Sequence, residues 1–247
     1  MAPSVEEVSR KSDFRDRLHW VRERIERAAR LAGRNPADIQ LIAVTKTVSV
    51  DRMLFAAASG CRTFGENRIQ EALSKMEQVE APGCEWHLLG PLQSNKIKSV
   101  VGRFAVLHAI DRVSVAEHLE KAIEGQGMRQ RVLLQVNVSD EPSKHGFHPD
   151  RLGEAAVEIA KLKNLQITGL MTIAPLGISS EDCRPYFRQL RKLAERLDRE
   201  RIPGVVMKEL SMGMSADFEC AIEEGATMVR IGRALFGPRP QLEKAEQ

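Results

Sequence analysis

Three short stretches of this chain carry side chains whose types and spacing suit them to act together. The run Leu41-Ile42-Ala43-Val44-Thr45-Lys46 is apolar and ends in an amine. If it is extended, Ile42, Val44 and Lys46 share a face, because side chains alternate along a strand. An amine held against apolar surface loses proton affinity and becomes a nucleophile toward an aldehyde. A solvated lysine at a strand end is the ordinary alternative, and the stretch by itself fits both. Ser211-Met212-Gly213-Met214-Ser215 offers a glycine that lets backbone amides come close to an anion. Ser215 is suited to capping the helix that follows, although a plain serine-capped turn would look the same. Asp217 would repel an anion unless it points outward as a first-turn partner of the helix dipole. Val229-Arg230-Ile231-Gly232 adds a cation and a second glycine, and a lone strand-end arginine is usually solvated or ion-paired.

These groups need a scaffold that brings distant strand ends together, and the hydrophobic pattern supplies one. Val8, Phe14, Leu18, Val21, Ile25, Ala28 and Ala29 recur at three- and four-residue steps, which predicts a long amphipathic helix over 5–31, closed by Gly33 and Pro36. After it, short apolar runs alternate with helical segments. Strands are expected at 41–45, 62–64, 85–89, 105–109, 131–138, 166–170, 205–210 and 227–229. Helices are expected at 50–59, 68–79, 95–101, 113–124, 150–162, 181–200 and 216–224. Strict alternation with continuous apolar strands indicates a parallel sheet buried on both faces. Eight such units favour closure into a (β/α)8 TIM barrel, with the first helix as an addition to it. No loop is long or biased enough to mark a boundary, so one domain over 1–247 is expected. Active sites of such barrels lie at the C-terminal ends of the strands, and an anion is commonly gripped after the seventh and eighth. Lys46, Asn67, Met171, Ser211 and Arg230 all fall at those ends.

Bulk properties exclude several function classes. A net charge of +3 over 247 residues is too small to imply a polyanionic partner. The basic residues of 15–34 and 184–201 alternate with acids, as on solvated helix faces. Cys61, Cys84, Cys183 and Cys220 form no CxxC pair and lie near no histidine at metal-ligand spacing, so no metal site is expected. His87, His145 and His148 lack the helical spacing of a metal pair and are expected as satisfied strand-end or loop histidines. The loop 140–146 is either a lid or an ordinary surface loop. The polar, acidic beginning has no apolar core of a signal peptide and no run reaches membrane-spanning length, so a cytoplasmic location is expected.

Several blocks together carry a family resemblance. They are Ala43-Val44-Thr45-Lys46-Thr47, Gly65-Glu66-Asn67-Arg68-Ile69-Gln70-Glu71, Trp86-His87-Leu88-Leu89-Gly90-Pro91-Leu92-Gln93-Ser94-Asn95-Lys96, Gly169-Leu170-Met171, Leu210-Ser211-Met212-Gly213-Met214-Ser215 and Met228-Val229-Arg230-Ile231-Gly232. The chain resembles the pyridoxal phosphate homeostasis protein family, single-domain relatives of the alanine racemase N-terminal barrel, from about Phe14 to Gly237. The resemblance implies that Lys46 carries pyridoxal 5'-phosphate (PLP) as a Schiff base. It implies that Ser211, Gly213, Ser215 and the Gly232-Arg233 backbone hold the phosphate. Arg230 would face the pyridine nitrogen, and Asn67 and Met171 would line the ring pocket. Thr45 replaces the serine common before the lysine, Val48-Ser49 replaces a common Lys-Pro, and Arg68 stands where tyrosine is frequent.

The residues add a mechanistic expectation. A PLP enzyme that uses the ring as an electron sink gains from a protonated ring nitrogen, normally held by a carboxylate. An arginine at that position opposes protonation, since like charges repel. Racemisation also needs proton-transfer groups on both faces of the substrate. The chain's single tyrosine, Tyr186, falls in a helix before the seventh strand. The inventory fits a cytoplasmic protein that stores, buffers or delivers PLP with little or no turnover, as a monomer, with PLP-dependent apoenzymes as candidate partners. The alternatives are a PLP-dependent racemase-like enzyme and a cofactor-free Schiff-base aldolase or phosphosugar barrel.

Overall fold

The computed structural model describes residues 13–79, 81–139, 141 and 144–238. Eight parallel strands close into a barrel in the order of the chain. They are β1 (Gln40–Val44), β2 (Thr63–Glu66), β3 (Glu85–Leu88), β4 (Val106–Ile110), β5 (Gln130–Gln135), β6 (Leu165–Met171), β7 (Val205–Ser211) and β8 (Met228–Ile231). Around them run α1 (Phe14–Leu31), α2 (Val50–Ala58), α3 (Ile69–Met76), α4 (Val113–Ile123), α5 (Leu152–Ala160), α6 (Ser180–Glu200), α7 (Phe218–Glu223) and α8 (Arg233–Phe236).

Alternation along each strand divides the apolar residues into two sets. Ala43, Phe64, Trp86, Leu88, Leu107, Val132, Leu134, Val229 and Ile231 point outward and pack under the helices. Ile42, Leu89, Val106, Ala109, Leu133, Met171 and Met228 fill the interior, as expected of a small barrel closed by its own side chains. The interior also holds polar residues: Arg131 pairs with Glu209, and His87, His108, Ser211 and Arg230 are all buried.

The boundaries differ from the pattern-based expectation at instructive places. The stretch 95–101 folds as a 3-10 turn, Ser94–Ser99, closed by Gly102 at φ +72. A segment that short gains too little from helix propagation to repay nucleation. The helix expected over 150–162 likewise begins with a 3-10 turn at Pro149–Arg151. Strand β8 runs two residues further than expected, to Ile231, so Arg230 lies inside it. Strand β7 includes Ser211.

Helix α1 buries Phe14, Leu18, Val21, Ile25, Ala28 and Ala29, the stripe its spacing predicts; the part of the expected helix from Val5 to Ser12 lies outside the described residues. It lies along α7 and α8, where Arg34 donates to the carbonyls of Ile222 and Ala226 at 2.8 and 2.7 Å. Arg17 Nε donates to the Leu235 carbonyl at 2.7 Å, and Arg24 and Arg27 pair with Glu219. The added helix therefore braces the outside of the wall at β7 and β8. Strands β5 and β6 are in register at six positions, whereas β7 and β8 are in register at one, Ser211 opposite Met228.

Candidate functional site

Strand β1 ends at Val44, and Lys46 follows in the tight turn Lys46-Thr47 rather than on the strand itself. Ile42 and Val44 face the interior, as alternation requires. The half-buried Lys46 lines a small open cleft with Val44, Thr47, Val48, Arg52, Gly232, Arg233 and Phe236. The amine that ends the first strand and the glycine turn that ends the eighth therefore share one cavity.

The turn that carries Lys46 is strained and clamped. Thr47 has φ +64, a left-handed conformation that a β-branched side chain resists. Its backbone N–H donates to Glu71 Oε1 at 2.7 Å. Lys75, on α3, donates to the Thr45 carbonyl at 2.7 Å, to Glu66 Oε1 at 2.7 Å and to Glu71 Oε1 at 2.6 Å. Thr45 Oγ1 donates to the same Glu66 oxygen at 2.7 Å. Thr45, Glu66 and Lys75 are all buried, in the layer between the barrel wall and α3. Burial pushes the Glu66 carboxyl up from its ordinary value, against the pull of Lys75 and Thr45. Partial burial acts the same way on Glu71, but Lys75 and the Thr47 amide outweigh it and hold that carboxyl low.

A second polar arrangement runs through the inside of the wall. Arg230 Nη1 donates to Ser211 Oγ at 2.8 Å and its Nη2 donates to the Thr172 carbonyl at 2.8 Å. Ser211 Oγ also meets His108 Nδ1 at 2.9 Å, and His108 Nε2 meets His87 Nδ1 at 2.9 Å. Burial lowers Arg230 to about 10, with Asp217 acting against it, so the guanidinium remains a cation at neutral pH. Burial lowers His87 to about 3, with the Arg131 charge adding to it. His108 is lowered well below its ordinary value by burial and then by His87, Arg230 and Arg131. Both rings are therefore neutral at pH 7.

At the β7 and β8 exits the backbone takes over. Gly213 has φ +90, and a Cβ there would lie 2.6 Å from Ala221 Cβ, so only glycine fits the turn. Arg230 N donates to the Gly213 carbonyl at 3.0 Å, which ties this turn to β8. Ser215 does not cap the next helix: α7 starts at Phe218, and Ser215 Oγ instead accepts from Ala234 N at 3.2 Å. It joins the two exit loops. Asp217 points inward rather than outward, is buried, and accepts from Met214 N. That removes Met214 from the amides open to an anion.

The remaining expected residues fall where the strand ends place them. Asn67 directly follows β2, held by Gly90, whose Cβ would lie 2.2 Å from the Asn67 carbonyl oxygen. Met171 is the last residue of β6 and is buried in the interior. Gly232 opens α8 and Arg233 is its first residue. Tyr186 lies on α6, against the outer layer and away from the barrel interior. Of the histidines, His145 pairs with Asp111 at 3.4 Å and His148 accepts from Asp150 N, both in loops as expected. His87 is no strand-end residue: it is fully buried within β3 and bonded to His108. The ends of the 140–146 loop are tied, with Gln135 donating to the His145 carbonyl at 2.9 Å and Asn137 to the Phe147 carbonyl at 3.0 Å. Asp140, Pro142 and Ser143 lie outside the described residues, and the lid expectation rests on them. Among the described residues no group of three metal-ligating side chains is assembled, and the four cysteines are unbridged. No helix there is long and apolar enough to cross a membrane.

Sequence reasoning missed Lys75 and His108. Lys75 sits four residues after Glu71, the spacing of an ordinary exposed helix pair. His108 had a usable signal, a histidine inside the continuous strand run Val106-Leu107-His108-Ala109-Ile110.

Comparison with known proteins decides the family. Residues 17–240 match the model described as alanine racemase, N-terminal domain. A pyridoxal phosphate homeostasis protein of Aquifex aeolicus is 43% identical over 224 residues, covering 91% of this chain and 97% of the relative. The protein of the same name from Escherichia coli K12 is 40% identical over 239 residues, 94% of this chain and 100% of the relative. The chain belongs to the pyridoxal phosphate homeostasis protein family. Among solved structures, PipY of Synechococcus elongatus with PLP bound is 40% identical, with TM-score 0.76, covering 87% of this chain and 100% of PipY. An alanine racemase of Clostridium difficile is 17% identical with TM-score 0.68, and this chain spans 57% of it, a likeness of fold alone.

Proposed function

We propose that this chain binds pyridoxal 5'-phosphate at the C-terminal mouth of the barrel and serves its intracellular homeostasis by storage, buffering or delivery. The observation that carries the reading is the cleft that Lys46 shares with Gly232 and Arg233. An aldehyde cofactor with an anionic tail needs an amine at one end and open backbone donors at the other, and the family's relatives are named for that cofactor. When bound, PLP supplies an aldehyde for a lysine and a ring able to delocalise charge.

The chain's own residues take these parts. Lys46 attaches the cofactor, and the clamp of Glu66, Glu71 and Lys75 sets the turn that presents it. Gly213, Ser215, Gly232 and Arg233 form the glycine-rich rim for the phosphate, with Ser211 beneath them. Asn67 and Met171 flank the ring. Arg230, a buried cation at neutral pH, keeps the ring nitrogen unprotonated. Together with the outlying Tyr186, that leaves little support for turnover, so the protein works as a binder rather than an enzyme. A racemase-like activity would appear as exchange of the alanine α-proton into heavy water. One domain, a cytoplasmic location, a monomeric state and transfer to PLP-dependent apoenzymes complete the proposal.

The deciding experiment is an absorbance spectrum of the PLP-loaded protein followed by borohydride reduction and mass mapping. A phosphopyridoxyl adduct on Lys46, and a colourless Lys46→Ala protein, are the expected results. An adduct confined to other lysines refutes the assignment.

A further inference from the structure

The four buried groups inside the wall form a chain whose direction is set by chemistry. Arg230 can only donate, so Ser211 Oγ accepts from it at 2.8 Å. The serine hydrogen then has one acceptor within reach, His108 Nδ1 at 2.9 Å. If His108 Nδ1 donated instead, the hydroxyl hydrogen would be stranded in a site with no solvent access. His108 therefore carries its proton on Nε2 and gives it to His87 Nδ1 at 2.9 Å. His87 in turn carries its own proton on Nε2, which makes no hydrogen bond and has Glu85 Oε2 at 3.7 Å. A lone pair aimed at that carboxylate would be repelled; an N–H is attracted. Every link donates the same way, from the arginine toward the N-terminal end of the barrel.

We propose that His108, backed by His87, is a positioning residue that orients Arg230 through Ser211, and that the Ser211 hydroxyl serves the arginine rather than a phosphate. The serine reaches His108 and Arg230 through Oγ, and its one hydrogen is committed. It has none left to donate to an anion. The second anchor of Arg230, the Thr172 carbonyl, leaves the guanidinium plane fixed from two sides. The effect on PLP rests on the function proposed above; the orientation of the four side chains does not.

Two measurements on the full chain without cofactor test the chain itself. Long-range proton–nitrogen spectra of histidine-labelled protein should show His87 and His108 neutral with the proton on Nε2, assigned through His87→Asn and His108→Asn. A proton on Nδ1 of either ring overturns the proposal. In His108→Leu the slowly exchanging guanidinium signal of Arg230 should broaden away. In His108→Asn, whose Oδ1 replaces the Nδ1 acceptor, that signal should persist. An unchanged Arg230 signal in His108→Leu also overturns the proposal. With PLP loaded, His108→Leu should hold the cofactor about tenfold more weakly and move its absorption band, with His108→Asn close to the parent. Ser211→Ala should match His108→Leu and replaces it if that variant does not fold. Ser211→Ala with unchanged band and affinity refutes the assignment of the hydroxyl. If the parent protein takes up no PLP, the proposed function fails, while the cofactor-free spectra still decide the chain.

Discussion

The two polar clusters that flank the cleft solve one problem by opposite means. Outside the wall, Lys75 and its two carboxylates hold the β1 turn with full charges. Inside the wall, Arg230 is hydrogen-bonded by neutral groups, a serine backed by two uncharged rings and a carbonyl, while Asp217 acts on it through its charge. The location explains the difference. The outer clamp sits at the edge of a helix where Glu71 still reaches solvent, so a second carboxylate can be tolerated. Arg230 is buried, and hydrogen-bonding it with neutral groups leaves its positive charge in place. One end of the site is built for a firm hold on a backbone turn and the other for a buried cation whose hydrogen bonds go to neutral groups.

The comparison is broken most severely at the outer clamp. Lys75→Met leaves Glu66 buried and unpaired, and should cost about 3–5 kcal/mol of stability by urea unfolding. Adding Glu66→Leu should recover most of it; a single variant as stable as the parent would show that the clamp is ornamental. Acid attacks the inner chain next. Both rings have folded-state values below the unfolded one, so the unfolded chain binds more protons as pH falls below about 6.5. Stability should drop by about 1.4 kcal/mol per pH unit for each ring, continuing toward about pH 3 for His87. Glu66, shifted upward, takes up its proton more readily in the folded chain and adds nothing to that loss. Melting at pH 7 and pH 5 should therefore show a slope that flattens in His87→Asn, and an equal slope in both proteins would sink this attribution. The smallest effect is a gain. Thr47→Gly should relieve the φ +64 strain and raise stability by about 1 kcal/mol, read from the urea midpoint.

The barrel was legible because its evidence is local and repeated: each strand is a short apolar run and each helix shows a stripe. The proximity of Met171, Ser211 and Arg230 followed once closure was assumed, since strand ends meet in such a fold. What escaped depends on register and on exact helix starts. His87 and His108 meet only because β3 and β4 pair His87 opposite Val106, putting both rings on the inner face. Nothing in a spacing of 21 residues announces that. Ser215 resembled a cap because the helix was expected two residues before it begins, and the same expectation left an outward, first-turn Asp217 open as an alternative. Lys75 resembled any helix-surface lysine because its buried partner, Glu66, comes from another element.

Strands β7 and β8 are in register at one position against six between β5 and β6, and backbone bonds from Thr227 N to the Leu210 carbonyl, Met212 N to the Met228 carbonyl and Arg230 N to the Gly213 carbonyl carry the rest of that seam. A cylinder cannot lose one seam and stay round, so whatever spans those two strands acts as a rivet for the whole shell. Ser211, Gly213, Arg230 and Gly232 stand on either side of it. A guest seated there fastens the hoop, and the loaded protein should resist heat in parts of the chain that never touch the guest.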